Sequence, residues 1–187
     1  AEEFGNDSEL LWLPDSFGAT AALPQIMKGC GIKYFFSAKI PWLYNGGELF
    51  PYHNIKWSGL DGSTVITHIS ASYNAHCTPK DILHAYVNIN NEKETVPAKL
   101  FPFGHGDGGG GATTLHTEYI NRQKDLEGVP KVVVESPLEF YKYLEGCELP
   151  KYSGELYFAA HRATYTSQAK TKRLNRKGEQ ALRETEM

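Results

Sequence analysis

The sequence predicts an α/β fold, a mostly parallel sheet covered by helices. Two observations carry this. Short runs of aromatic, aliphatic and β-branched residues alternate along the chain with segments of helical pattern. Glycine, proline or polar clusters close most runs, so the alternation is punctuated into separate elements. The order reads β-α-β, then a loop and a hairpin, then α-β-α-β-α-β-α. The 187 residues suit one domain or a large piece of one.

Each element has its own warrant. Residues 9–13 are a short apolar run ended by Pro14, the pattern of a buried strand. Residues 19–28 carry helix formers before the stop signals Gly29 and Gly31. Residues 32–36 are the next strand, rich in aromatics, and 41–54 a loop. Residues 55–57 and 64–69 flank Gly59-Leu60-Asp61-Gly62, a hairpin signal. Residues 79–90 read as a helix with Ile82, Ala85, Tyr86 and Ile89 on one stripe. Residues 99–103 read as a strand leading into the glycine-rich run 104–111. A helix over 113–126 ends at Gly128 and Pro130. Val132, Val133 and Val134 predict a buried strand. Residues 137–144 predict a helix with proline at its start and Gly146 at its end. Residues 155–158 are extended, and 167–187 form a long polar helix.

Composition narrows the function classes. Lys plus Arg is 19 against Asp plus Glu 22, a net charge of −3, so no strong basic field exists to hold nucleic acid. From Gln168 onward six basic and three acidic residues give a local surplus, which reads as the solvated face of a helix. No apolar stretch approaches the ~18 residues of a membrane span. Cys30, Cys77 and Cys147 are odd in number and widely spaced, which excludes a zinc knuckle and favours reduced thiols.

In α/β folds functional groups gather beyond the carboxyl ends of the strands. Asp15, Lys39 and Asp107 each follow a predicted strand. Two carboxylates and an amine at one mouth make a paired-carboxylate site, one carboxyl acting as nucleophile or base and the other as acid. The competing reading of Asp15 is a helix cap. The glycine run lacks the Gly-Lys-Ser/Thr ending of a phosphate loop. It reads instead as a loop whose backbone must approach something closely. His105-x-Asp107 is a two-residue metal pair at most. The other histidines show no metal spacing. His161-Arg162, before Thr164-Tyr165-Thr166, is the functional candidate among them.

Five ordered blocks resemble the α-mannosidases of glycoside hydrolase family 38. They are Leu11-Trp12-Leu13-Pro14-Asp15-Ser16-Phe17-Gly18 and its continuation through Leu23-Pro24-Gln25-Ile26; Lys33-Tyr34-Phe35-Phe36-Ser37-Ala38-Lys39 with Trp42; Trp57-Ser58-Gly59-Leu60-Asp61-Gly62-Ser63 with His68; the loop Gly104 to Gly111; and Gly154-Glu155-Leu156-Tyr157 with His161-Arg162 and Thr164-Tyr165-Thr166-Ser167-Gln168. The loop is similar to that of the cytosolic and vacuolar branch.

The resemblance implies a retaining hydrolase of α-linked mannose in oligosaccharides or glycoproteins. Residues 1–150 would be part of a seven-stranded β/α barrel, and 151–187 the connection into a helical bundle. Asp15 matches the nucleophile, which is also a ligand of a catalytic zinc or other divalent metal. Asp107 matches the acid/base. Phe17 and Lys39 line the sugar pocket, and His161, Arg162 and Tyr165 are taken as substrate-binding. The family's other zinc ligands, a His-x-Asp pair upstream and a histidine downstream, lie outside these residues. The isolated 187-residue polypeptide is therefore expected to be inactive and unstable. The resemblance further implies a homo-oligomer in the cytoplasm or in the vacuole or lysosome, with no nucleic-acid or membrane partner. Alternatives are a family 38 hydrolase of another glycoside and a non-catalytic carbohydrate-binding or assembly segment.

Overall fold

The computed structural model describes residues 3, 5, 7–41, 48, 50–70, 72–87, 93–107, 109–161 and 168–187. In chain order its elements are β1 (Leu10–Leu13), β2 (Gly18–Ala19), α1 (Leu23–Gly29), β3 (Tyr34–Ser37), β4 (Asn54–Ser58) and β5 (Thr64–Ile69). There follow α2 (Pro79–Val87), α3 (Thr114–Gln123), α4 (Pro137–Glu145), β6 (Lys151–Ser153), β7 (Leu156–Tyr157) and α5 (Ala169–Glu186).

The principal sheet has five strands in the order β1-β3-β5-β4-β6. β1, β3 and β5 run parallel, with Leu13 opposite Ser37 and Ser37 opposite Ile69. Their carboxyl ends therefore finish level. The predicted hairpin is β4–β5, antiparallel from Asn54↔His68 to Ser58↔Thr64. That hairpin makes the sheet mixed, and β6 joins parallel to β4.

Alternation along each strand builds two cores. On one face Phe35, Ile55, Trp57, Val65 and Ile69 pack with Met27 of α1. On the other, Tyr34 packs with Phe140, Tyr141 and Leu144 of α4. The buried polar atoms of these aromatics are satisfied. Tyr141 donates to the Phe35 carbonyl at 2.6 Å and Trp57 Nε1 to the Gly154 carbonyl at 2.9 Å. α4 starts as its sequence predicts, with Pro137 in the first turn and the Ser136 side chain accepting from the Glu139 N–H. No helix among the described residues is long and apolar enough to cross a membrane.

Two predicted strands are absent. Residues 99–103 form no ladder, only a single parallel bridge between Phe103 and Ala75. Pro102 has no N–H to give. The Leu100 carbonyl is taken by His68 Nε2 at 3.2 Å and by the Ser70 hydroxyl at 3.3 Å. The valine run is likewise not a strand, and Val133 and Val134 are 65% and 61% exposed. Its β-propensity finds no strand to pair with among the described residues. β2 and β6 have no counterpart among the predicted elements. α5 is exposed along its whole length, as its polar sequence predicts.

Candidate active site

Asp15 and Lys39 each come two residues after the level ends of β1 and β3. That placement brings them together. Lys39 Nζ lies 2.8 Å from Asp15 Oδ1. Tyr73, on the segment leaving β5, completes the group. Its hydroxyl donates to Asp15 Oδ1 at 3.2 Å and accepts from Lys39 Nζ at 3.4 Å. Three neighbouring parallel strands thus deliver one residue each. Tyr73 has no motif of its own. The signal that could have found it is its place just past the third parallel strand.

The electrostatics come from the contacts. Asp15 is 57% exposed at its side chain, Lys39 only 11%. The hydrogen bond from Lys39 holds the Asp15 carboxyl below the ordinary aspartate value, against a small opposing effect of burial. Burial alone would lower Lys39; its hydrogen bonds to Asp15 and Tyr73 outweigh that and raise it. Asp15 is therefore an anion and Lys39 a cation at neutral pH. The capping reading of Asp15 is excluded, because the next helix is capped at Ala22.

The chain after Asp15 is fastened to the C-terminal segment. β2 pairs antiparallel with β7, Gly18 opposite Tyr157 and Ala19 opposite Leu156. Gly18 has φ 111°, and a Cβ there would stand 2.7 Å from the Leu156 carbonyl oxygen. Only glycine permits that approach. Phe17 in consequence meets the ring of Phe158 at 5.9 Å and that of His161 at 4.8 Å. The structure so brings two of the predicted sugar-binding residues, Phe17 and His161, together. Arg162, Tyr165 and Trp42 lie outside the described residues.

Asp107 is held differently. It is exposed and has φ 50°, in the left-handed region. The Gly104 N–H donates to the Ala75 carbonyl at 3.0 Å, fastening the start of its loop. Within the loop, a Cβ on Gly106 would stand 2.5 Å from Asn74 Nδ2, and one on Gly110 2.7 Å from His105 Cβ. The expected close backbone approach is therefore internal, the loop folding against its own His105 and against Asn74.

His105 lies in the same exposed loop as Asp107. Its ring packs at 5.6 Å from His76 and 5.1 Å from His116. Buried His116 accepts the Thr113 N–H at 3.1 Å on Nδ1, capping α3. His53 and His68 are core groups. Burial lowers them to about 4 and about 3, so both are neutral near pH 7.

Zinc takes three or four protein ligands. Among the described residues no group of three or more His, Cys, Asp or Glu side chains is arranged to hold a metal. Asp15 Oδ1 is engaged by Lys39 and Tyr73, which leaves Oδ2. These residues fit one position of a zinc site and no more.

Over 190 aligned residues the chain is 41% identical to alpha-mannosidase G of Dictyostelium discoideum and 40% identical to alpha-mannosidase 2C1 of Mus musculus. Each alignment covers 100% of this chain but 17% and 18% of those relatives. The crystal structure of an alpha-mannosidase from Enterococcus faecalis V583 shares the fold, with a TM-score of 0.59 at 15% identity over 83% of this chain and 18% of that one. The profile of the Glycosyl hydrolases family 38 N-terminal domain matches residues 1–155. The chain belongs to glycosyl hydrolase family 38.

Proposed function

We propose that this chain carries both catalytic carboxylates of a retaining α-mannosidase. The observation that supports it most is the Asp15–Lys39–Tyr73 group at the level ends of three parallel strands. Such a carboxylate is ionised at neutral pH, aimed by two donors and open to solvent, as a nucleophile must be. Asp15 attacks the anomeric carbon while Asp107 gives its proton to the departing glycosidic oxygen. A glycosyl ester forms on Asp15 and the aglycone leaves as an alcohol. Asp107, now a carboxylate, takes a proton from water. That water breaks the ester, releasing mannose with its configuration retained. The mechanism asks for carboxyls about 5–5.5 Å apart.

Lys39 keeps Asp15 charged before attack and stabilises it again as it departs. Phe17 and His161 offer ring faces to the sugar beside Asp15. Asp15 would supply one ligand to a zinc ion, whose chemistry would be to bind and orient the sugar hydroxyls. Replacing Asp15 by Asn in the intact natural polypeptide is expected to cut kcat for α-mannosides by about a thousandfold or more. Activity within about tenfold of wild type would remove Asp15 as nucleophile. A panel of aryl glycosides separates mannose from other sugars; faster turnover of another glycoside would replace the substrate while keeping the mechanism.

A further inference from the structure

Asp107 is a non-glycine residue at φ 50°. Aspartate enters that region more readily than most residues bearing a Cβ, and its neighbours decide whether it is held there. The surroundings here converge on one short segment, residues 72–75. Phe103 bridges to Ala75, and the Gly104 N–H bonds the Ala75 carbonyl at 3.0 Å. Two residues on, Gly106 lies flush against Asn74. A Cβ at Gly106 would stand 2.5 Å from Asn74 Nδ2, 2.9 Å from its Cβ and 3.0 Å from its Cγ. Gly106 is the residue immediately before Asp107.

The Asn74 side chain is itself set by its neighbours. The Ser72 hydroxyl donates to Asn74 Oδ1 at 3.2 Å, and the Asn74 N–H donates back to Ser72 Oγ at 3.3 Å. Ser72 is fixed in turn, its N–H donating to Ser70 Oγ at 3.3 Å and its carbonyl accepting from that hydroxyl at 2.7 Å. With Oδ1 turned to Ser72, the amide nitrogen is the end that meets the loop. On the other side of this segment, Tyr73 donates to Asp15. One short stretch therefore touches Asp15 directly and the residue preceding Asp107.

We propose that Asn74 is a positioning residue for Asp107: its amide is the surface on which Gly106 rests, and it sets where the acid/base stands relative to the nucleophile. This rests on the reading of Asp107 as acid/base. Asn74 touches neither carboxylate, so its loss damages proton delivery to the leaving group and leaves the attack by Asp15 intact.

That distinction is measurable in the intact natural polypeptide. A disaccharide mannoside needs a proton on its leaving oxygen, whereas a dinitrophenyl mannoside releases dinitrophenolate, a stable anion, without one. Asn74→Ala is expected to lower kcat/KM, which reports the steps up to the glycosyl ester, by about tenfold or more on the disaccharide and by less than about threefold on the dinitrophenyl substrate. Gly106→Ala, whose methyl would press on Asn74, is expected to give the same split. It keeps the question open to test if Asn74→Ala does not fold. Equal losses on both substrates, or no loss on either, in whichever variant folds, overturn the proposal. Asp107→Asn is the control. If it keeps wild-type activity on the disaccharide, the acid/base reading fails. If it shows the split and the Asn74 and Gly106 variants do not, only the positioning role fails.

Discussion

The two carboxylates are held in opposite ways. Asp15 is gripped by side chains, Lys39 at 2.8 Å and Tyr73 at 3.2 Å, at the rigid ends of sheet strands. Asp107 is presented by backbone, in a left-handed conformation within a loop whose glycines pack on Asn74 and His105. The proposed chemistry asks for this difference. A nucleophile must stay ionised, and a fixed cation secures that. An acid/base must gain and lose a proton in each cycle, and a cation bonded to it would favour only one of those states.

The comparison breaks most sharply at Asp107. Asp107→Gly is expected to lower kcat on mannosides with poor leaving groups by about a hundredfold or more. On a dinitrophenyl mannoside, whose ester forms without acid help, added azide should restore turnover by attacking the glycosyl ester in place of activated water, giving a mannosyl azide as product. No azide product from an otherwise folded variant would show that Asp107 is not the base.

A smaller effect is expected at Lys39. Its hydrogen bond lowers the Asp15 pKa, so the acid-side loss of activity governed by Asp15 lies below the ordinary aspartate range. Lys39→Met removes that effect, and the acid limb of the kcat/KM profile should move to higher pH. Asp15 remains ionised at neutral pH, so the loss there is about tenfold and reflects a less well aimed carboxylate. An unmoved acid limb would mean that Lys39 does not control Asp15. Tyr73→Phe removes one neutral donor and should cost about fivefold in kcat. It should leave the dinitrophenyl and disaccharide substrates equally affected, in contrast to Asn74→Ala.

Much of this was legible in the chain, for physical reasons that also mark where legibility stops. Asp15 and Lys39 stand out because apolar runs define where β1 and β3 end, and parallel strands in register bring the residues just past those ends together. Tyr73 hides because the segment after β5 is polar and without a repeat, so nothing local says which of its residues turns toward the site. Val132 to Val134 mislead because β-propensity expresses a partner surface as much as a backbone preference, and these side chains have none among the described residues. Residues 99–103 mislead because carbonyls that would join a ladder serve His68 and Ser70 instead. β2 is two residues long and exists through the close approach of Gly18 to Leu156, a tertiary fact with no sequence period.

The division of labour between the carboxylates is tested most directly by trapping the ester. The intact polypeptide would be incubated with a slow fluorinated mannosyl fluoride, digested, and its peptides weighed by mass spectrometry. A fluoromannosyl adduct on the peptide containing Asp15, mapped to its carboxylate, is the expected result. An adduct on Asp107, or on a residue outside this chain, would contradict the assignment of Asp15 as the nucleophile.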